Sequence, residues 1–159
     1  MRAVIFLGQG SQSVGMGKAL AEASGAAREL FQEVDVALGV HLSKLMAEGP
    51  LDELTLTENA QPAIMANAVA TLRALGMPVA GRAHFVAGHS LGEYSALCSA
   101  GSFDVATAAR LLKLRGRAMQ AADRILQLRD AQELLGCERA DGDDEAGTQN
   151  RDLAIEMSA

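Results

Sequence analysis

The residues best suited to chemistry in this sequence lie at positions 88–92, where Ser90 stands between two glycines in the pattern Gly-x-Ser-x-Gly. This pattern is typical of a nucleophile elbow, a sharp turn from a strand into a helix that exposes the serine hydroxyl. The glycines are needed because the turn brings backbone so close that a Cβ atom would clash. The first amides of the following helix favour negative charge beside the serine. The motif therefore predicts an acyl-serine intermediate.

The segments around Ser90 predict an α/β fold. The apolar run at residues 3–7 is typical of a strand buried on both faces, and residues 84–87 form a second strand directly before the elbow. Strands that alternate with helices indicate a parallel sheet, and two strands are too few to complete one. We predict helices over residues 17–39 with a break near Ser24, 42–47, 59–75 with Asn59 as N-cap, 91–100, and 105–122 with Asp104 as N-cap.

The character of the sequence changes after residue 122. Apolar positions predict one more helix over residues 123–135, and glycine and acidic residues dominate from Gly136 onward. We therefore predict a domain over residues 1–122, followed by a tail over 123–159 that consists of a short helix and an acidic disordered segment.

Composition excludes several classes of protein. The length of 159 residues suits one domain, and the net charge of −6 argues against a nucleic-acid surface. No apolar run is long enough to span a bilayer and no signal peptide is apparent, so we expect a cytoplasmic protein without membrane contact. Cys98 and Cys137 have no metal-site or disulfide spacing, so we expect no metal.

The elbow is one of four motifs in the sequence. They lie at residues 6–12 with 14–17, at 57–63, at 87–97 and at 114–120. In order and spacing they resemble the malonyl-CoA:acyl-carrier-protein transacylase family of fatty acid biosynthesis. The resemblance covers residues 1 to about 120. It implies an incomplete α/β-hydrolase-like large subdomain of an acyltransferase, with flanking helices on a parallel sheet and without the family's ferredoxin-like small subdomain.

The resemblance implies a role for each matching residue. Ser90 would accept malonyl from malonyl-CoA as an ester, and the backbone N–H groups of Gln9 and Leu91 would form the oxyanion hole. Arg115 would hold the free malonyl carboxylate by two parallel hydrogen bonds and so favour malonyl over plain acyl groups. The malonyl group would then pass to the phosphopantetheine thiol of an acyl carrier protein. No tightly bound cofactor is implied.

A serine nucleophile also needs a base. His89 is adjacent to Ser90, but successive side chains near a strand end point to opposite faces, so we expect it to support the elbow instead. His84 lies at the far end of the same strand, and the sequence does not place His41. The resemblance implies that the family's catalytic histidine lies downstream, in a part that this sequence lacks. We therefore expect impaired turnover; a frameshift, an alternative end or an erroneous gene model would each produce such a tail.

Two alternatives stay open. A serine hydrolase or thioesterase would share the elbow, although a hydrolase of neutral esters has no need of Arg115. A non-catalytic fragment that binds CoA, carrier protein or a second copy of itself would instead use its exposed sheet edge.

Overall fold

The computed structural model describes residues 1–79 and 81–138, with side chains for residues 1–79 and 81–130. Contacts divide the chain into a compact unit over Met1–Ala122 and a second unit over Asp123–Ala159. The elements of the described residues are β1 (Ala3–Phe6), α1 (Lys18–Ala23), α2 (Gly25–Leu38), α3 (Leu42–Glu48), α4 (Leu51–Thr55), α5 (Thr57–Ala74), β2 (Phe85–Gly88), α6 (Leu91–Ser99) and α7 (Val105–Glu138).

The two strands pair in parallel, with Ala3 opposite Phe85 and Phe6 opposite Gly88. The expectation that the strand at residues 3–7 is buried on both faces is wrong. The side chains of Ile5 and Phe85 are 71% and 57% exposed, whereas Phe6 is buried. The reason is that, in the described part of the chain, α6 is the helix with extensive contacts to both strands, and it covers a single face.

The hydrophobic core lies among the helices instead of at the sheet. Among the helix pairs of the described residues, α2 and α5 pack together most extensively, and α6 packs against α5. Leu30 and Val34 of α2, Met65 of α5 and Leu112 of α7 are each no more than 1% exposed within one cluster. Burial of such side chains contributes about 1.5–3 kcal/mol each. The core therefore fixes α5 and α7, the two helices that carry side chains toward Ser90.

Several helix boundaries follow the sequence. The break near Ser24 is confirmed, since its hydroxyl accepts a hydrogen bond from the Ala27 amide and begins α2. Gly39 ends that helix with a φ of 65°, a conformation that glycine adopts without a Cβ penalty. Asp104 is confirmed as an N-cap, because its Oδ1 accepts from the Thr107 amide at 2.6 Å.

Two helix predictions are wrong. Asn59 is not the N-cap of α5, which begins two residues earlier; its side chain instead donates to the Glu53 carbonyl and accepts from Lys113 Nζ. The predicted break near residue 122 is also absent, because residues 117–135 contain no glycine or proline to end a helix. Positions 136–138 continue α7, where disorder was expected. The rest of the predicted disordered segment, residues 139–159, lies outside the described residues.

Candidate active site

Ser90 lies at the turn between β2 and α6, as the motif predicts. Its φ of 56° and ψ of −116° are unusual, and it is the one non-glycine residue with positive φ in the described part of the chain. A non-glycine residue in such a region costs about 1–3 kcal/mol and persists only where the surrounding structure enforces it. The side chain is exposed at the N-terminus of α6, so its hydroxyl is open to a reactant.

The two glycines of the motif allow this turn because of close backbone contacts. A Cβ on Gly88 would overlap the carbonyl group of Gly92, and a Cβ on Gly92 would overlap the Phe6 carbonyl oxygen. The His89 amide also donates to the Phe6 carbonyl at 3.3 Å. The elbow is therefore held directly against the end of β1, and neither glycine tolerates a side chain.

Arg115 of α7 reaches the serine. Its Nη2 donates to Ser90 Oγ at 3.0 Å, and its Nη1 donates to Gln61 Oε1 of α5 at 2.7 Å. Twenty-five positions separate Arg115 from Ser90 in the sequence. The fold thus brings the candidate nucleophile and a planar cation together, an arrangement that suits a reactant with a carboxylate near its reacting carbonyl.

Close packing of α7 on the start of α5 sets the position of Arg115. A Cβ on Gly116 would lie 2.5 Å from the Glu58 Cα atom, so only glycine permits this approach. The Glu58 carboxylate accepts from Arg117 Nε at 2.9 Å and pairs with Lys113 Nζ at 3.0 Å. These two hydrogen-bonded cations hold the pKa of Glu58 below its usual range. Ion pairs and backbone contact together fix the register of the two helices.

Gln9 lies in the loop that follows β1, beside the elbow. Its Nε2 donates to Thr57 Oγ1 at 3.3 Å, and a Cβ on the neighbouring Gly8 would lie 3.1 Å from His89 Nδ1. Among the described residues, the backbone N–H groups of Gln9 and Leu91 donate to no protein acceptor. The oxyanion hole formed by these two amides stays a prediction. Such a hole requires unpaired N–H donors on either side of the elbow.

None of the three histidines hydrogen-bonds to the serine hydroxyl within the described residues. His84 Nδ1 accepts from the Arg2 amide at 3.1 Å, His41 lies 4.0 Å from an Asp35 carboxylate oxygen, and the His89 side chain is exposed. Within the described residues, which include all three histidines, Arg115 is the side chain that hydrogen-bonds to Ser90. The arrangement there combines a serine hydroxyl and a cation, without a histidine bonded to the serine.

Sequence reasoning assigned no role to Gln61, Glu58 or Gly116, although all three lie in motifs it identified. The available signal was helical spacing, because positions 58 and 61 fall on one face of α5. What the spacing did not reveal is that this face meets α7. Gln61 is fully buried, which is unusual for an amide without a specific partner.

Other features of the described residues lie outside this site. A cavity of about 530 Å³ is lined by residues of α2, α5, α6 and the start of α7, among them Glu33, Arg73 and Cys98, and Ser90 is not one of its lining residues. Burial raises the pKa of the Cys98 thiol, so it is a structural residue more than a reactive one. In the described ranges no three His, Cys, Asp or Glu side chains form a metal cluster, and no helix has the length and apolarity needed to cross a membrane.

Comparison with known proteins extends the resemblance. The sequence model described as "Acyl transferase domain" matches residues 4–133, beyond the predicted limit of about residue 120. The malonyl CoA-acyl carrier protein transacylase of Bacillus subtilis (strain 168) is 47% identical over 123 residues, which cover 76% of this chain and 38% of that protein. The protein of the same name from Escherichia coli (strain K12) is 41% identical over 146 residues, covering 87% of this chain and 47% of that protein.

Solved structures agree with the fold. The acyl-carrier-protein-S-malonyltransferase of Bartonella henselae superposes with a TM-score of 0.72 at 56% identity, over 77% of this chain and 40% of that chain. A malonyl-transacylase solved in complex with its type II PKS acyl-carrier protein gives a TM-score of 0.70 at 44% identity, over 76% and 39% of the two chains. The predicted α/β fold of a parallel sheet with flanking helices is therefore confirmed.

The chain spans less than half the length of the relatives it matches. The family match nevertheless includes the elbow, both close-packed helices and Arg115, and it accounts for most of the sequence. The predicted family resemblance is confirmed, and this chain belongs to the acyl transferase domain family.

Proposed function

We propose that this chain carries the nucleophile and the carboxylate-binding cation of a site that moves malonyl from CoA to the phosphopantetheine thiol of an acyl carrier protein. The observation that carries the proposal is the 3.0 Å hydrogen bond from Arg115 Nη2 to Ser90 Oγ. The relatives from B. subtilis and E. coli, whose names state this activity, support it.

In the first half-reaction, Ser90 Oγ attacks the thioester carbonyl carbon of malonyl-CoA. An O–C bond forms and the C–S bond breaks, so the products are a malonyl ester on Ser90 and CoA, whose sulfur takes up the proton lost by the serine. Charge that develops on the carbonyl oxygen would be stabilised by the N–H groups of Gln9 and Leu91. The positive end of α6 adds to this effect.

Arg115 selects the acyl group in this scheme. Its guanidinium exchanges the Ser90 hydroxyl for the free carboxylate of malonyl, which accepts two parallel hydrogen bonds. An acetyl group offers no charge to this cation. The preference for malonyl therefore follows from a cation placed within hydrogen-bond reach of the nucleophile.

In the second half-reaction, the phosphopantetheine thiol of the carrier protein attacks the malonyl ester. An S–C bond forms and the O–C bond breaks. Ser90 recovers its proton, and malonyl becomes a thioester of the carrier protein. No tightly bound cofactor takes part in either half.

The serine proton must pass to a base during the first step. None of the three histidines hydrogen-bonds to Ser90 in the described part of the chain. Following the family resemblance, we propose that a histidine which this sequence does not contain is the base of the complete site. The chain alone would then acylate slowly, and added imidazole would accelerate it.

Mass spectrometry of the chain after incubation with malonyl-CoA tests the proposal, with and without imidazole. We expect a malonyl adduct on the peptide that contains Ser90, and its loss in the Ser90→Ala variant. Ser102 is an exposed serine shortly after α6. Its variant Ser102→Ala is the matched control and should keep the adduct.

An absent adduct in the presence of imidazole would contradict the proposal. If the chain then associated in a concentration-dependent manner by light scattering, the alternative of a self-associating fragment would be favoured. The exposed side chains of Ile5 and Phe85 on the sheet are the observation behind that alternative.

A further inference from the structure

Helix α7 carries three cations at alternate positions, Lys113, Arg115 and Arg117. The first and third are one helical turn apart, and both pair with the carboxylate of Glu58. Lys113 Nζ donates in addition to Asn59 Oδ1 at 2.7 Å. The start of α5 thus neutralises two of the three cations with one carboxylate.

Arg115 has different partners. Its guanidinium donates to the Gln61 amide and the Ser90 hydroxyl, which are both uncharged. Within the described residues it forms no salt bridge. Its positive charge is therefore not compensated by a carboxylate, in contrast to those of Lys113 and Arg117 on the same helix.

Gln61 is held at both ends of its amide. It is 0% exposed, its Oε1 accepts from Arg115 Nη1 at 2.7 Å, and its Nε2 donates to Met119 Sδ at 3.3 Å. Burial restricts the side chain to this orientation, so the acceptor oxygen faces the guanidinium. One edge of Arg115 is occupied by a neutral acceptor, and Nη2 is directed at Ser90.

A neutral acceptor at this position has an electrostatic consequence. A carboxylate in place of the amide could accept the same hydrogen bond, yet it would form a buried ion pair with Arg115 and cancel the field that attracts an anionic ligand. An apolar side chain would leave the charge but release the guanidinium from its orientation. The amide of Gln61 supplies orientation without charge.

We propose that Gln61 is a specificity-determining residue that acts through Arg115. It orients the guanidinium toward Ser90 and keeps its charge available for the carboxylate of the acyl group. The inference rests on the proposed function, because it concerns which acyl group the same serine receives.

The first experiment measures acylation of Ser90 by malonyl-CoA and by acetyl-CoA in the presence of imidazole. In Gln61→Glu we expect the malonyl-to-acetyl rate ratio to fall at least tenfold. Gln32→Glu, which makes the same change at an exposed position on α2, should leave the ratio unaltered. An unchanged ratio in a folded Gln61→Glu variant would overturn the inference.

The variant Gln61→Met separates the effect of charge from the effect of Arg115 orientation. It also tests the inference if circular dichroism shows that Gln61→Glu does not fold. It removes the acceptor and adds no charge, so we expect a several-fold loss of malonyl rate that is smaller than the loss in Gln61→Glu. No loss in Gln61→Met would show that the amide does not orient Arg115. A loss in Gln61→Met as large as in Gln61→Glu would show that charge is not the determinant; either result would overturn the inference.

Binding distinguishes failure of this inference from failure of the proposed function. Calorimetric titration of malonyl-CoA and acetyl-CoA into Ser90→Ala measures the preference without chemistry. A malonyl preference that Gln61→Glu abolishes in this background would support the inference even if no variant is acylated, in which case only the transfer proposal fails. Equal affinity of the Ser90→Ala chain for the two CoA esters would overturn the inference.

Discussion

Ser90 and Arg115 meet at one hydrogen bond, but the molecule positions them in different ways. Ser90 is placed by backbone: a strained φ of 56°, and glycines at 88 and 92 that let the turn lie against β1. Arg115 is placed by side chains and helix packing, through Gln61 and through Gly116 against Glu58. The turn that presents Ser90 is thus encoded within one short motif, whereas the position of the cation depends on side-chain contacts between helices far apart in the sequence.

The difference has energetic consequences. Strain at Ser90 is stored in the fold and must be offset by packing of the elbow against the sheet and the core. The cation costs little backbone energy, but it requires two helices to stay in register. Substitutions in the elbow should therefore mainly lower the stability of the fold. Substitutions at the interface of α5 and α7 should lower both stability and the preference for malonyl.

Gly88→Ala should have the largest effect. The added Cβ overlaps the carbonyl group of Gly92, and neither backbone segment can move without breaking the turn. We expect a loss of more than about 3 kcal/mol in the free energy of unfolding, beyond the usual cost of overpacking. Urea denaturation measures it.

Gly25→Ala is the control for this change. Its added Cβ meets no atom within 4 Å, and its φ is not positive. It should be neutral or slightly stabilising, since alanine favours a helix more than glycine does. A Gly88→Ala variant as stable as Gly25→Ala would contradict the close packing of the elbow.

Gly116→Ala should have an intermediate effect on stability. Its Cβ would lie 2.5 Å from the Glu58 Cα atom, so α7 must shift away from α5. We expect a loss of about 1–3 kcal/mol by urea denaturation, reduced by the helix preference of alanine. Because Arg115 moves with α7, the malonyl-to-acetyl acylation ratio should fall as well. Loss of stability with an unchanged ratio would show that Arg115 does not depend on this packing.

Glu58→Gln should have the smallest effect, and the effect should depend on pH. Hydrogen bonds from Arg117 and Lys113 lower the pKa of Glu58 in the folded state. A carboxyl group with a lowered folded pKa adds stability above its unfolded pKa of about 4.3, and this stability is lost as the pH falls through the folded pKa. The variant should therefore be about 1 kcal/mol less stable than the parent chain at pH 7.

Urea denaturation at pH 7 and at several values below pH 4 measures this prediction. The difference between parent and variant should decrease as the pH falls. Glu29→Gln, at an exposed position on α2, is the control and should show a smaller difference at neutral pH. A difference for Glu58→Gln that is constant over this range would mean that the lost contact is not electrostatic.

Part of the site was predictable because its signals are local. The glycine spacing around Ser90 indicated the elbow, and the family resemblance named Gln9, Leu91 and Arg115. Asp104 was recognised as a helix cap because capping depends on residues within one turn. The oxyanion hole, the support by His89 and the division of the chain at residue 122 into an acyltransferase domain and a tail remain predictions.

Other features were beyond the reach of local patterns. Asn59 looked like a helix cap because asparagine favours caps, but contact with Lys113 of α7 gives it an interior role. The run at residues 3–7 looked buried on both faces because it is apolar throughout, yet one face of the sheet is exposed. An apolar run indicates that both faces of a strand can be buried. It does not indicate which faces other elements of the fold cover.

The amino-acid sequence alone determined the strand-turn-helix around Ser90 and the family to which the chain belongs. These depend on glycine spacing and side-chain chemistry over a few residues. Tertiary structure alone decided that Gln61 holds Arg115 and that Glu58 pairs with Lys113 and Arg117. It also decided that Arg115 has no carboxylate partner among the described residues. The physical reason is that electrostatic pairing depends on distances between α5 and α7, which the packing of the core sets.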